Sequence, residues 1–246
     1  MIGKLFQGKP NASAATPEGE RLYAVGDIHG CAALLDALLE KINADAAGKK
    51  RRLIFLGDYV DRGEDSKGVI DRLMAIRGRE PETIFLKGNH EQAVLDFLEA
   101  PDRNEDWLHW GGDQTLESYG IGNIWQKTPA ALAEALSRQM PDAHLEFLRS
   151  LDLWRILGDY AFVHAGFKPG VAIDDQSEQD CLWIRAEFHN APPEGRPREV
   201  VVHGHHPVKK PQDHGWRIAV DTGAVWSDAL TAVVLDGAAR RFISTR

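Results

Sequence analysis

Arg21-Leu22-Tyr23-Ala24-Val25-Gly26-Asp27-Ile28-His29-Gly30 is a short apolar run stopped by a glycine and an acid, and the chain repeats the device twice more. Arg52-Leu53-Ile54-Phe55-Leu56 runs into Gly57-Asp58, and Thr83-Ile84-Phe85-Leu86-Lys87 into Gly88-Asn89. Each run has strand length and strand composition and ends on turn formers. Between them, residues 32–42 place Leu34, Leu35, Leu38, Leu39 and Ile42 at spacings of three and four, and residues 67–76 do the same with Val69, Ile70, Leu73 and Ile76. Those spacings put the apolar side chains on one face of a helix. Strand, loop and helix in alternation predict an α/β layer with parallel strands. Such sheets bind ligands in the crevice beyond their strand carboxyl ends, so the three Gly-Asp or Gly-Asn endings should converge there.

Outward from this core, residues 91–157 read as a mostly helical insertion, with helices near 92–99, 130–139 and 144–151 punctuated by Pro101, Pro129 and Pro141. Strands return at 160–163, 199–202, 217–220, 230–235 and 241–244, while 190–198, with Pro192, Pro193 and Pro197, reads as a loop. Residues 1–20 read as a flexible lead-in, and 21–246 as one domain. At 246 residues, 43% hydrophobic and 27% charged, the composition is that of an ordinary soluble globular protein. No apolar run approaches the roughly 18 residues of a membrane span. A net charge of −8 repels nucleic acid and anionic lipid, so neither is an expected partner. Cys31 and Cys181 lie far apart and outside any CxxC spacing, which predicts two reduced thiols. No export signal is evident, so the cytoplasm is the expected compartment. Nothing in the sequence speaks to oligomeric state.

Five blocks carry the informative residues: Gly26-Asp27-Ile28-His29-Gly30, Gly57-Asp58-Tyr59-Val60-Asp61-Arg62-Gly63, Gly88-Asn89-His90-Glu91, His164-Ala165-Gly166 and His203-Gly204-His205. Each is flanked by glycine at a strand end, where a sharp turn can aim a polar side chain at a common point. Carboxylate, amide oxygen and imidazole together suit divalent Mn, Fe or Zn, and the lack of thiolates argues against a structural zinc site.

The ordered set GDxHG, GDxVDRG, GNHE, HAG and GH resembles the phosphoprotein phosphatase branch of the binuclear metallophosphoesterases over residues 21–236. Trp183-Ile184-Arg185, Gly204-His205-His206-Pro207-Val208 and Asp221-Thr222-Gly223-Ala224-Val225 look most like its compact members, the bacteriophage lambda protein phosphatase and bacterial relatives. The resemblance implies a calcineurin-like metallophosphoesterase fold, an α/β sandwich with a mixed central sheet. It implies two divalent metal ions, manganese first: Asp27 and His29 on one, Asn89, His164 and His205 on the other, and Asp58 bridging. His90 would be the catalytic histidine and Asp61 its carboxylate partner, with Arg62 and Arg185 binding phosphate. The implied reaction is hydrolysis of phosphoserine or phosphothreonine in a protein or peptide by a hydroxide shared between the metals, with no phosphoenzyme.

His203 and His206 flank the expected ligand His205, where relatives more often show one histidine. His205 is preferred because it follows the glycine and precedes Pro207-Val208. His109, His144, His189 and His214 sit in no motif and read as surface or packing residues. Residues 107–112, Trp-Leu-His-Trp-Gly-Gly, fit a cleft-lining loop and a buried cap equally well. The rival substrate is a symmetrical dinucleoside tetraphosphate. Enzymes of that kind typically lack the carboxylate of Asp61 and carry Asp in place of Glu91, so both residues favour the protein phosphatase.

Overall fold

The computed structural model describes residues 14–246. β1 (Arg21–Val25), β2 (Arg51–Phe55) and β3 (Ile84–Phe85) are parallel neighbours joined by α1 (Ala32–Ala46) and α2 (Ser66–Arg79), the alternation read from the first third of the chain. α3 (Asn89–Glu99) opens a helical stretch continued by α4 (Asp113–Ser118), α5 (Pro129–Gln139) and α6 (Asp142–Arg149). Then come β4 (Trp154–Leu157), β5 (Tyr160–Val163), α7 (Glu178–Trp183), α8 (Ala186–His189), β6 (Val200–His203), β7 (Gln212–Asp213) and β8 (Arg217–Ala219). α9 (Ala224–Ser227), β9 (Thr231–Asp236) and β10 (Ala239–Ser244) finish the chain.

These strands form two mixed five-stranded sheets, ordered β10-β9-β1-β2-β3 and β4-β5-β6-β8-β7, where the sequence suggested one central sheet. β5, β6 and β8 are parallel to one another, with β4 and β7 antiparallel at the edges. Parallel strands need cover on both faces, and they get it. Leu22, Ala24, Ile54 and Leu56 of the first sheet pack against Phe162, Val200, Val202 and Ile218 of the second. The first sheet's other face, with Tyr23, Val25, Leu53 and Phe55, is buried with Leu35, Leu38 and Val69 of α1 and α2. Val163 and Val201 on the second sheet's outer face meet Cys181, Ile184 and Phe188. A strand apolar on both faces does not declare its sheet, which is why the division was invisible in sequence.

Two boundaries differ from expectation. The stretch 91–157 is helical only as far as Arg149, because Trp154–Leu157 pairs with β5 through a two-residue Gly158-Asp159 hairpin in which Gly158 takes φ +60°. Residues 1–13 of the lead-in lie outside the described residues, but 14–20 are tied down. Ala15 N–H donates to Asp159, Tyr160 Oη to the Ala14 carbonyl and Thr16 N–H to Gly237 O, while Glu20 pairs with Lys50 and Arg52. Cys31 and Cys181 are free, as expected. No helix among the described residues is long and apolar enough to cross a membrane.

Phe162 is fully buried between the sheets. Phe162→Ala is expected to cost about 3–5 kcal/mol in urea unfolding with an unchanged m-value, whereas a loss below about 1 kcal/mol would contradict the two-sheet core.

Candidate metal centre

Six parallel strands, three from each sheet, deliver their carboxyl ends to one place. β1 leads to Asp27 and His29, β2 to Asp58, Asp61 and Arg62, and β3 to Asn89 and His90 in the first turn of α3. From the other sheet, β5 leads to His164, β6 to His205 and β8 to Asp221. Every one of these except Arg62, which is half-buried, is buried.

The loops are held in tension rather than merely bent. Seven non-glycine residues have positive φ among the described residues, and five of them are His29, Asp58, Asp61, Arg62 and His205. That conformation is costly for side chains bearing a Cβ and persists where surrounding structure enforces it. Here Ile28 and His29 N–H both donate to Asp58 O at 3.0 and 2.9 Å, stitching the first block to the second. Glu91, with no exposed surface, stitches the second to the third. Its carboxylate accepts from the N–H groups of Asp58 (2.8 Å), Tyr59 (2.7 Å), Val60 (3.3 Å) and Gly88 (2.9 Å). Gly88 has to be glycine, since a Cβ there would lie 2.2 Å from Asp58 Oδ1.

The donor set fits divalent cations on its own chemistry. His29 Nδ1 lies 2.8 Å from Val60 O and His164 Nδ1 lies 2.9 Å from Leu56 O. A carbonyl only accepts, so each Nδ1 carries the proton and each Nε2 presents a lone pair. Burial pushes His29 down to about 3 and lowers His164, so both rings are neutral near pH 7. Their unprotonated Nε2 atoms face Asp58: His29, which also accepts from Arg62 NH1, is 3.5 Å from Oδ2, and His164 is 3.4 Å from Oδ1. Lone pairs aimed at a carboxylate repel unless a cation sits between them, and ligand histidines commonly donate their other N–H to a carbonyl in this way. Asp58 offers one oxygen to each group. Nitrogens of His164 (Nε2) and His205 (Nδ1) both lie 2.9 Å from Asn89 Oδ1. His29, Asp58 and His90 form one cluster with donor atoms within 4.8 Å of one another, and Asp58, His164 and His205 form a second. Asp27 faces the His205 N–H at 3.0 and 3.2 Å, and burial with the charges of Asp221 and Asp58 raises it well above the usual carboxylate range. Burial also pushes Asp221 up to about 6. Three buried carboxylates crowded together call for more positive charge than Arg62 supplies.

His90 of the first cluster also belongs to a pair of another kind. His90 Nδ1 is 2.6 Å from Asp61 Oδ2, and both side chains are buried. Asp61 is fixed in turn by Trp107 Nε1, donating to Oδ2 at 2.8 Å, and by Thr115 Oγ1, donating to Oδ1 at 2.6 Å. Burial opposes charge on His90, yet Asp58 and Asp61 outweigh it and raise the imidazole's proton affinity. Arg62 spans the two imidazoles, NH1 at 2.6 Å from His29 Nε2 and NH2 at 2.8 Å from His90 Nε2. Arg185 is exposed, and its Nε donates to His205 Nε2 at 3.0 Å.

The structure thus brings together all ten residues singled out from sequence. His203 points elsewhere, its Nδ1 against Gly204 O and its Nε2 3.4 Å from Arg217. His144 is a packing residue bonded to Tyr119 and Asp71, as expected for a histidine outside the motifs. Residues 107–112 satisfy both readings offered for them, since Trp107 is buried against Asp61 while Trp110 is exposed. The sequence reading missed the bonds from Trp107 and Thr115 to Asp61, the cradle built by Glu91, and Asp221. For Asp221 the signal was available, because Val220-Asp221-Thr222-Gly223 repeats the strand-then-acid pattern.

Fold and donor set are those of a metal-dependent phosphoesterase. The chain belongs to the calcineurin-like phosphoesterase family, whose profile matches residues 20–228. It is 29% identical to the symmetrical bis(5'-nucleosyl)-tetraphosphatase of Methylococcus capsulatus, covering 90% of this chain and 94% of that one. It is 30% identical to serine/threonine-protein phosphatase 1 of Salmonella typhimurium, covering 85% and 89%. A solved structure of a candidate diadenosine tetraphosphatase superposes with a TM-score of 0.63 at 22% identity, over 94% of this chain and 98% of that one.

His205→Ala is expected to lower the metal bound per chain by close to one equivalent, measured by elemental analysis after dialysis, while His203→Ala keeps the wild-type content. Equal content in the two variants would show that His205 is not a ligand.

Proposed function

We propose that this chain hydrolyses phosphoserine and phosphothreonine monoesters in proteins, in the manner of the compact phage and bacterial protein phosphatases. Two divalent ions, manganese first, would be held by Asp27, His29, Asp58, Asn89, His164 and His205. When bound, they supply Lewis acidity toward the phosphoryl oxygens and lower the pKa of water. The chain's own groups do the rest. Arg62 and Arg185 present guanidinium groups to the phosphoryl oxygens, a recognition that an ammonium does not reproduce. Arg62 donates to His90 Nε2 in the free chain; once a phosphoryl group engages Arg62, His90 holds a proton at Nε2 for the departing oxygen, and Asp61 keeps its ring oriented through Nδ1.

The observation that carries this reading is the Asp61–His90 pair at 2.6 Å, buried and fixed by Trp107 and Thr115. A serine alkoxide is a poor leaving group that must be protonated as it departs. A nucleoside diphosphate leaves as a stable anion and has little use for a prepared acid. The competing reading, a dinucleoside tetraphosphatase, is favoured by the similarity to the Methylococcus capsulatus enzyme. It gains nothing from the carboxylates flanking the cleft, Asp96 and Asp106 beside Trp110 and Asp36, Glu64, Asp65 and Asp228 beyond Arg62, which repel a polyphosphate chain.

His90→Asn is expected to retain bound metal and to lose about 10²- to 10⁴-fold in kcat on a phosphoserine peptide. Its loss on p-nitrophenyl phosphate, whose phenolate needs less protonation, should be clearly smaller. Equal losses on the two substrates would overturn the leaving-group role and remove the main support for a monoesterase.

A further inference from the structure

Exposed indole surface is concentrated around the candidate centre. Among the described residues the exposed large apolar side chains are Trp110 (41%), Trp125 (61%), Trp226 (66%) and Ile156 on edge strand β4. Trp110 meets Trp183 edge-on at 5.7 Å, and Trp183 meets His205 at 6.2 Å. Trp125 stacks on His109, the neighbour of Trp110, at 5.0 Å. On the opposite side, Arg62 lies 5.4 Å from the ring centre of Trp226. An apolar patch continuous with a reactive centre marks a place where substrate lies.

Trp110 and Trp183, with the edge of Trp107, wall a groove of about 120 Å³ that also contains Asp96, Asp106 and Arg103. Asp96 already accepts from Gln92 Nε2. Neither Asp106 nor Arg103 has a side-chain partner among the described residues, and two carboxylates against one guanidinium leave the groove negative. Beyond Arg62 a second groove is lined by Asp36, Glu64, Asp65 and Asp228 against Arg62 and Arg72, so the cleft is acidic on both flanks. Indole faces beside a free carboxylate suit one kind of side chain, a flat or extended cation that stacks on the rings and meets the acid. An apolar side chain would cover the rings but strip water from Asp106 without replacing it. A tetraphosphate would set its charges against the acids.

We propose that the Trp110–Trp183 groove is a specificity subsite for an arginine or lysine near the phosphorylated residue, so that the preferred substrates are phosphopeptides with a basic flank. This rests on the protein phosphatase reading and narrows it. Trp110 and Asp106 make the selection, while the ten residues of the centre do the chemistry.

The test uses the full-length, manganese-loaded protein and phosphoserine peptides of one length, each flanking position carrying Arg, Lys, Ala, Leu or Glu in turn. At one position Arg and Lys should exceed Ala by about tenfold in kcat/KM, with Glu below Ala. The same order should appear in Kd for phosphonate analogues, read by tryptophan fluorescence. Trp110→Ala and Asp106→Asn should each erase the preference while turning over p-nitrophenyl phosphate at the wild-type rate. Equal kcat/KM for Arg and Ala at every position, leucine outranking arginine, or a preference surviving both variants would overturn the subsite while phosphopeptide hydrolysis itself stands. Failure to hydrolyse any peptide, with diadenosine tetraphosphate turned over, would overturn the subsite together with the reading beneath it.

Discussion

The Glu91 carboxylate is the fastening on which the centre depends. It is completely buried, stands on the first turn of α3 and accepts four backbone N–H groups, three from the loop after β2 and one from Gly88. Burying a carboxylate costs several kcal/mol unless charge-assisted hydrogen bonds replace its water, and here they do. Burial and the nearby Asp58 charge still push Glu91 up to about 7, against the pull of the N–H groups. The bonds fix the loop carrying Asp58, Asp61 and Arg62 against the helix carrying Asn89 and His90. A side chain one methylene shorter would have to surrender part of the cradle or draw the two loops together. Positive φ at Asp58, Asp61 and Arg62 is sustained by this fastening and by the bond from Arg62 N–H to Gly111 O.

Charge explains the rest of the arrangement. A chain of net charge −8 that is to bind a phosphate must create its attraction locally. The fold gathers carboxylates and neutral imidazoles from both sheets, leaving lone pairs that converge and a deficit of positive charge that divalent ions would meet. Around that centre Arg62 and Arg185 supply the protein's own cations, and the wider cleft stays acidic. On the proposed reading, the same distribution draws a single phosphate inward and discourages a polyphosphate chain along the flanks.

Much of this was legible in the sequence because strand, glycine and acid occur together in a fixed order. The runs ending at Gly26, Gly57 and Gly88 gave the parallel layer, and five blocks supplied every residue of the two clusters. What could not be read were properties that depend on distant partners. Tyr160–Val163 and Val200–His203 are buried on both faces, so nothing in them says that they form a separate sheet. Gly158-Asp159 does carry a hairpin signal, masked by the helical stretch before it. Trp107 lies 46 residues from Asp61, and no local pattern announces a hydrogen bond between an indole and a carboxylate. Residues 14–20 have the composition of a loose leader, yet they dock because Asp159 and Gly237 present partners to their backbone. Glycines supply left-handed turns in these blocks as expected, at Gly30 (φ 65°) and Gly57 (φ 101°), and the functional residues His29, Asp58, Asp61, Arg62 and His205 adopt that conformation as well.

The central claim is that a prepared proton donor at a two-cation centre makes this chain a monoesterase. Its most direct test is a head-to-head measurement of kcat/KM for a phosphothreonine peptide and diadenosine tetraphosphate, with the same metal, pH and ionic strength. The account predicts a preference for the peptide of at least about tenfold, or roughly 1.4 kcal/mol of transition-state binding. A tenfold preference for the dinucleotide would contradict it.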